Sequence, residues 1–125
     1  MNFEYTPEFK KDVKRLQKKW RSLPGDLSDA ELQIADLYGA SEDLSEQVEY
    51  RAAFFNGKRA TILHKTDNGR EVVKMRLDVS ALGTNSKVRI VFIAVIADGR
   101  VQFLELYSKS DKSRVNQSRI KQYLE

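Results

Sequence analysis

The chain has no cysteine and only one histidine among its 125 residues. Without thiols, neither a disulfide nor a thiolate metal site can form. The lone His64 excludes a two-histidine metal site and a two-histidine acid–base pair. No metal or other cofactor is expected. Proline is scarce, with Pro7 and Pro24 its two occurrences. No segment approaches the roughly 18 consecutive apolar residues that a membrane span requires. The amino terminus, MNFEYTPEFKK, has no apolar signal core. A soluble, cytoplasmic protein without membrane association is therefore expected.

What the chain does contain is charge. Charged residues make up 32% and hydrophobic residues 41%, with a net charge of +4. The length fits one domain with one modest core. A pI near 9.3 favours an anionic partner such as nucleic acid, an acidic protein or an anionic surface. Many soluble domains are equally basic, so the distribution of the cations matters more than their number.

Asn2 to Tyr5 reads as a short strand. Thr6 is a suitable helix N-cap, and Pro7 fits the first helical position, where its missing N–H is no loss. Phe9, Val13, Leu16 and Trp20 recur at helical spacing, so this stripe faces a core. Lys10, Lys11, Lys14, Arg15, Lys18, Lys19 and Arg21 occupy the other faces. Leu23-Pro24-Gly25 reads as the end of that helix. Ser28 and Glu31 have capping-box spacing and predict a second helix from Asp29 to Tyr38, with Leu32, Ala35 and Leu37 or Tyr38 inward. Gly39 to Gln47, with Glu42, Asp43 and Glu46, reads as an acidic loop.

Beyond it the pattern turns to strands. Tyr50–Phe55, Lys58–Thr66, Arg70–Val79, Val88–Ala97 and Arg100–Tyr107 are separated by Asn56-Gly57, Asn68-Gly69, the loop from Ser80 to Ser86, and Asp98-Gly99. Asn-Gly and Asp-Gly suit hairpin turns that require positive φ. Asn116 is placed to cap a short final helix through Ile120 and Leu124. The expected fold class is α+β: two N-terminal helices packed on one face of a twisted, mainly antiparallel sheet, with a short C-terminal helix. One domain is expected over residues 1–125, with an extra segment or hairpin around 39–70.

Strand alternation locates the cations. Val73, Met75, Leu77 and Val79 share one face, and Lys74, Arg76 and Asp78 share the other. Val88 to Ala97 is apolar on both faces, which predicts a central strand. Arg89 interrupts it and must find a carboxylate such as Asp78 or Glu105, a backbone carbonyl, or a ligand phosphate. Tyr107, Lys109 and Lys112 leave the last hairpin at the end where Arg89 enters it. If the strands holding Lys74 and Lys87 are neighbours, these cations and Tyr107 converge on one concave face. Such a cluster suits RNA: cations neutralise phosphate, tyrosine stacks on a base, and the same charges stabilise the transition state of 2′-hydroxyl attack on the adjacent phosphate. From residue chemistry alone, binding is better supported than cleavage, because lysine and arginine are poor general bases unless their pKa is perturbed.

The order of elements, with Lys74-Met75-Arg76-Leu77, the run Lys87-Val88-Arg89-Ile90-Val91-Phe92 and the stretch from Leu104 through Tyr107 and Lys109 to Lys112, resembles the RelE/ParE superfamily of type II toxin–antitoxin toxins. The resemblance covers the first two helices and the chain from about Val72 onward. It implies a RelE-like fold and, in the RelE branch, a small basic endoribonuclease that enters the ribosome and cuts messenger RNA without a metal. By position, Arg89 and Lys109 would bind phosphate and stabilise the transition state. Lys74 or Arg76 would orient or deprotonate the 2′-hydroxyl. Lys112, with Tyr107 and Arg114, would hold RNA. A cognate acidic antitoxin would be the protein partner. Many members carry histidine or arginine near the position of Ser108, where this chain departs from the pattern. ParE-like members act on DNA gyrase by protein contact, and a non-catalytic RNA-binding domain is the third reading.

Overall fold

The computed structural model describes residues 1–38, 51–56, 58–83, 86–112 and 114–124. Strand β1 (Asn2–Tyr5) leads into helix α1 (Pro7–Gln17), and α2 (Leu23–Tyr38) follows. Residues 51–54 are helical (α3). Then come β2 (Ala60–Lys65), β3 (Arg70–Arg76), β4 (Val88–Val95), β5 (Arg100–Ser108) and α4 (Gln117–Leu124). The expected α+β class holds. The sheet is mixed: its order is β1-β5-β4-β3-β2, with β1 parallel to β5 and the other pairs antiparallel. No helix among the described residues is long and apolar enough to cross a membrane.

Thr6 caps α1 as expected, its hydroxyl accepting the Phe9 N–H at 3.3 Å, with Pro7 in the first turn. Phe9, Leu16 and Trp20 are buried, and Val13 packs beside them. The ring of Phe103 gathers those of Phe9, Phe3, Tyr5 and Phe92, at centroid distances of 5.3, 5.8, 5.3 and 6.1 Å. This cluster fastens α1 and β1 to the sheet.

The junction between the first two helices differs from expectation. Leu23-Pro24-Gly25 opens α2 instead of closing α1. Proline is tolerated in a first turn because those N–H groups have no intrahelical acceptor. Ser28 is therefore inside the helix and forms no capping box; its hydroxyl donates to the Pro24 carbonyl at 3.2 Å. The earlier start sets the buried stripe as Leu23, Leu27, Ala30, Ile34 and Leu37, and leaves Leu32 67% exposed. Asp26, buried in the first turn, accepts from the hydroxyls of Ser22 and Ser80 and from the Ser80 N–H, which ties α2 to the segment after β3.

The expected strand over Tyr50–Phe55 is also corrected, because 51–54 are helical. Asn56 accordingly makes no hairpin: its side chain accepts the N–H groups of Lys58 and Arg59, turning the chain from helix into strand. Tyr50, Gly57 and the acidic loop from Gly39 to Gln47 lie outside the described residues. The Asn68-Gly69 hairpin forms, with Gly69 at φ 82°. The Asp98-Gly99 hairpin forms through a short 3-10 turn (Ile96–Asp98) with Gly99 left-handed at φ 61°, so β4 stops at Val95. β4 is the central strand, and Ile90 to Ala94 are fully buried.

The helices occupy both faces of the sheet, not one. α1 and α2 cover the face holding Val73, Met75, Ile90, Phe92, Phe103 and Leu106. The opposite face carries Val72, Val91, Ile93, Val95, Leu104 and Tyr107, on which Ile120, Tyr123 and Leu124 of α4 pack. Asn116 caps α4 through the Arg119 N–H at 3.1 Å.

Candidate functional site

Helix α4 leaves part of its face uncovered, and cations fill that part. Residues directly opposite on neighbouring strands share a face. Thr61 pairs with Lys74, Lys74 with Val91, Arg76 with Arg89, and Arg89 with Tyr107. Lys74, Arg76 and Arg89 thus extend the surface begun by Val72 and Val91. Lys109 joins them from the end of β5, where its N–H bonds the Lys87 carbonyl at 2.8 Å.

The result is a cleft of about 400 Å³ lined by Arg76, Ser86, Lys87, Arg89, Lys109 and Ser110. A smaller recess of about 80 Å³ adjoins it, where Lys58, Arg59, Thr61 and Lys74 meet Arg76, Arg89 and Lys109. The structure therefore brings together Lys74, Arg76, Arg89 and Lys109. Neither lining contains a carboxylate.

Arg89 bonds neither Asp78 nor Glu105. Its Nη1 donates to the carbonyls of Ser86 at 3.0 Å and Val88 at 3.1 Å. Its other donors have no protein partner among the described residues and are available for bidentate binding of an oxyanion. Burial pushes the Arg89 pKa down; nearby Tyr107 opposes this and the Arg76 guanidinium adds to it. Arg76 has Asp78 at 3.2 Å from Nε, but that buried nitrogen makes no hydrogen bond. The proximity offsets part of the charge without satisfying the donor.

Tyr107, Lys112 and Arg114 are placed differently. The Tyr107 side chain is buried opposite Arg89, so its ring offers no open stacking face. Desolvation raises its pKa, with Glu105 adding and Arg89 opposing. Lys112 is bound to the Glu105 carboxylate and lies 5.2 Å from the centroid of the Tyr107 ring. Glu105 also accepts the Asn116 N–H at 2.8 Å, so Lys112 belongs to the polar seam under the approach to α4. Arg114 is exposed and lines neither recess. Ser108 is buried, and its hydroxyl accepts the Ser110 N–H at 3.2 Å. His64 is exposed opposite Val72, on the same face but beyond the lining.

Sequence reasoning did not assign Lys58, Arg59, Thr61 or Lys87 to the site. Lys87 was within reach of alternation, since it has the parity of Arg89. Thr61 of β2, and Lys58 and Arg59 just before it, were not, because a bulge between Ile62 and His64 shifts the register counted back from Asn68-Gly69.

No model of a known protein family, no curated protein and no solved structure matches this chain.

Proposed function

We propose that the chain is the toxin of a type II toxin–antitoxin pair, an endoribonuclease that cuts messenger RNA on the ribosome. One observation carries the reading: Arg76 and Arg89 face each other in a carboxylate-free cleft with Lys74 and Lys109 beside them. Asp78, 3.2 Å from Arg76 Nε, offsets part of this charge, and the remainder is unfavourable unless a further anion joins the cluster. A phosphodiester in the cleft supplies that anion.

In the proposed reaction the 2′-oxygen attacks the adjacent phosphorus and the bond to the 5′-oxygen breaks. The products are a 2′,3′-cyclic phosphate and a 5′-hydroxyl. Arg89 and Lys109 neutralise the charge that grows on the phosphorane, and Lys74 and Arg76 orient the 2′-hydroxyl. Water takes the 2′-hydroxyl proton and returns one to the leaving oxygen. The cleft's contribution is electrostatic positioning, for which fixed cations suffice. An acidic antitoxin would silence the site by neutralising the same cations.

The buried Ser108 favours a second reading, RNA binding without cleavage, since no imidazole or guanidinium stands there to move a proton. One experiment separates the two. The chain is added to a translating extract and the ends of the message are mapped, with Arg89→Ala in parallel. New internal ends that vanish in the variant support the endoribonuclease. RNA bound but left intact selects the binding-only reading. Intact RNA with gyrase supercoiling inhibited selects a ParE-like protein, and neither effect would sink the proposal outright.

A further inference from the structure

Helix α1 presents a second basic surface on the other side of the sheet from the cleft. Its buried stripe faces the core shared with Phe92 and Phe103, whereas Arg89 continues the face of Val91. Lys10, Lys14 and Lys18 form one exposed row and Lys11 and Arg15 a second. Successive members of a row are four residues apart, about 6 Å along the axis. Of the two acids of α1, Glu8 accepts from the Tyr123 hydroxyl and is stabilised in its charged form partly by Lys11, and Asp12 is turned inward to the Leu106 N–H and Arg119, with Arg15 approaching it only to 4.0 Å. Lys10, Lys11, Lys14 and Lys18 have no carboxylate within ion-pair distance among the described residues.

The surroundings of these cations discriminate among anionic partners. Among the described residues the exposed large hydrophobics are Met1, Leu32, Leu63, Leu82 and Ile96, none of them on α1. A protein partner needs apolar or aromatic anchors, and lysine is depleted from interface cores. Unpaired bases need aromatic platforms, and Trp20 is only 5% exposed. A convex double row of point charges without anchor or platform fits the phosphate backbone of a duplex.

We propose that α1 is an independent binding surface for duplex phosphate backbone. The protein then holds a duplex on one side of its sheet while a single strand occupies the cleft on the other; this second statement rests on the functional reading above, and the first does not.

The test measures fluorescence anisotropy of the full chain with a short blunt RNA duplex and its DNA counterpart over a salt series. Lys10→Gln/Lys14→Gln/Lys18→Gln should lower the slope of log affinity against log salt by roughly 2–3, at about 0.9 for each phosphate no longer neutralised. Arg89→Ala should leave duplex binding unchanged. Equal losses on both duplexes assign the surface to phosphate in general, and a loss on RNA alone assigns it to A-form geometry. Circular dichroism confirms folding, and Lys11→Gln/Lys14→Gln replaces the triple variant if that one unfolds. An unchanged slope overturns the proposal. So does an Arg89→Ala loss equal to that of the α1 variant. Displacement of the duplex by a lower concentration of polyglutamate overturns it in favour of an acidic protein partner. A chain that cuts no message still answers this test, because the duplex is bound and not cleaved.

Discussion

Arg76 and Arg89 stand directly opposite each other on β3 and β4, a like-charge pair in the cross-strand position. Opposed like charges are destabilising. The contact of Arg76 with the exposed Asp78 is screened by solvent and offsets only part of this repulsion, so Arg76→Gln should raise stability in denaturant titration, by less than about 1 kcal/mol, while weakening RNA binding. A variant that loses both stability and binding would show that the pair is held by something other than a ligand.

Beyond Phe103, the edge of β5 is closed by side chains. Asp12 accepts the Leu106 N–H at 3.1 Å, Arg119 donates to the Leu104 carbonyl at 2.9 Å, and the two side chains meet at 2.6 Å. Asp12→Ala strands a buried N–H and a half-buried guanidinium, and should cost about 2–3 kcal/mol in urea unfolding. A double-mutant cycle with Arg119→Ala should return a coupling of about 1–2 kcal/mol. Additive losses would contradict the shared seam.

The phase of α2 is open to test. Ile34→Ala should cost about 2–4 kcal/mol, since it empties a fully buried site. Leu32→Ala should stay within about 0.5 kcal/mol, as an exposed substitution does. Reversed costs would restore the helix register expected from Ser28 and Glu31.

Alkaline pH should unfold the protein. Burial raises the pKa of Tyr5, Tyr38 and Tyr107, reinforced by Glu31, Glu71 and Glu105 respectively. Unfolded tyrosine ionises near 10, so the folded state holds these protons more tightly. Stability is then full below about pH 10 and falls as pH rises beyond it. Tyrosinate absorbance should rise together with the loss of circular dichroism. Tyr38→Phe, which removes the 2.8 Å bond to Glu71, should make the fall shallower.

The candidate site was partly legible before the fold was known. The alternation of Lys74 and Arg76 against Val73 and Met75, and the lone cation of an otherwise apolar central strand, are local properties of a pleated backbone. That Lys112 and Tyr107 sit outside the cleft lining was not legible, because Glu105, Asn116 and α4 reach them only through tertiary packing.

By itself, the sequence determined the elements whose signals lie within a few residues of one another: the Thr6-Pro7 helix start, the Asn68-Gly69 turn, the Asn116 cap and the central place of β4. The tertiary structure alone decided where Pro24 falls relative to a helix, that 51–54 are helical and not extended, and that α4 crosses to the opposite face. It also decided which cations share the cleft. Each of those outcomes depends on burial against partners distant in the chain, a free energy that no short window of sequence contains.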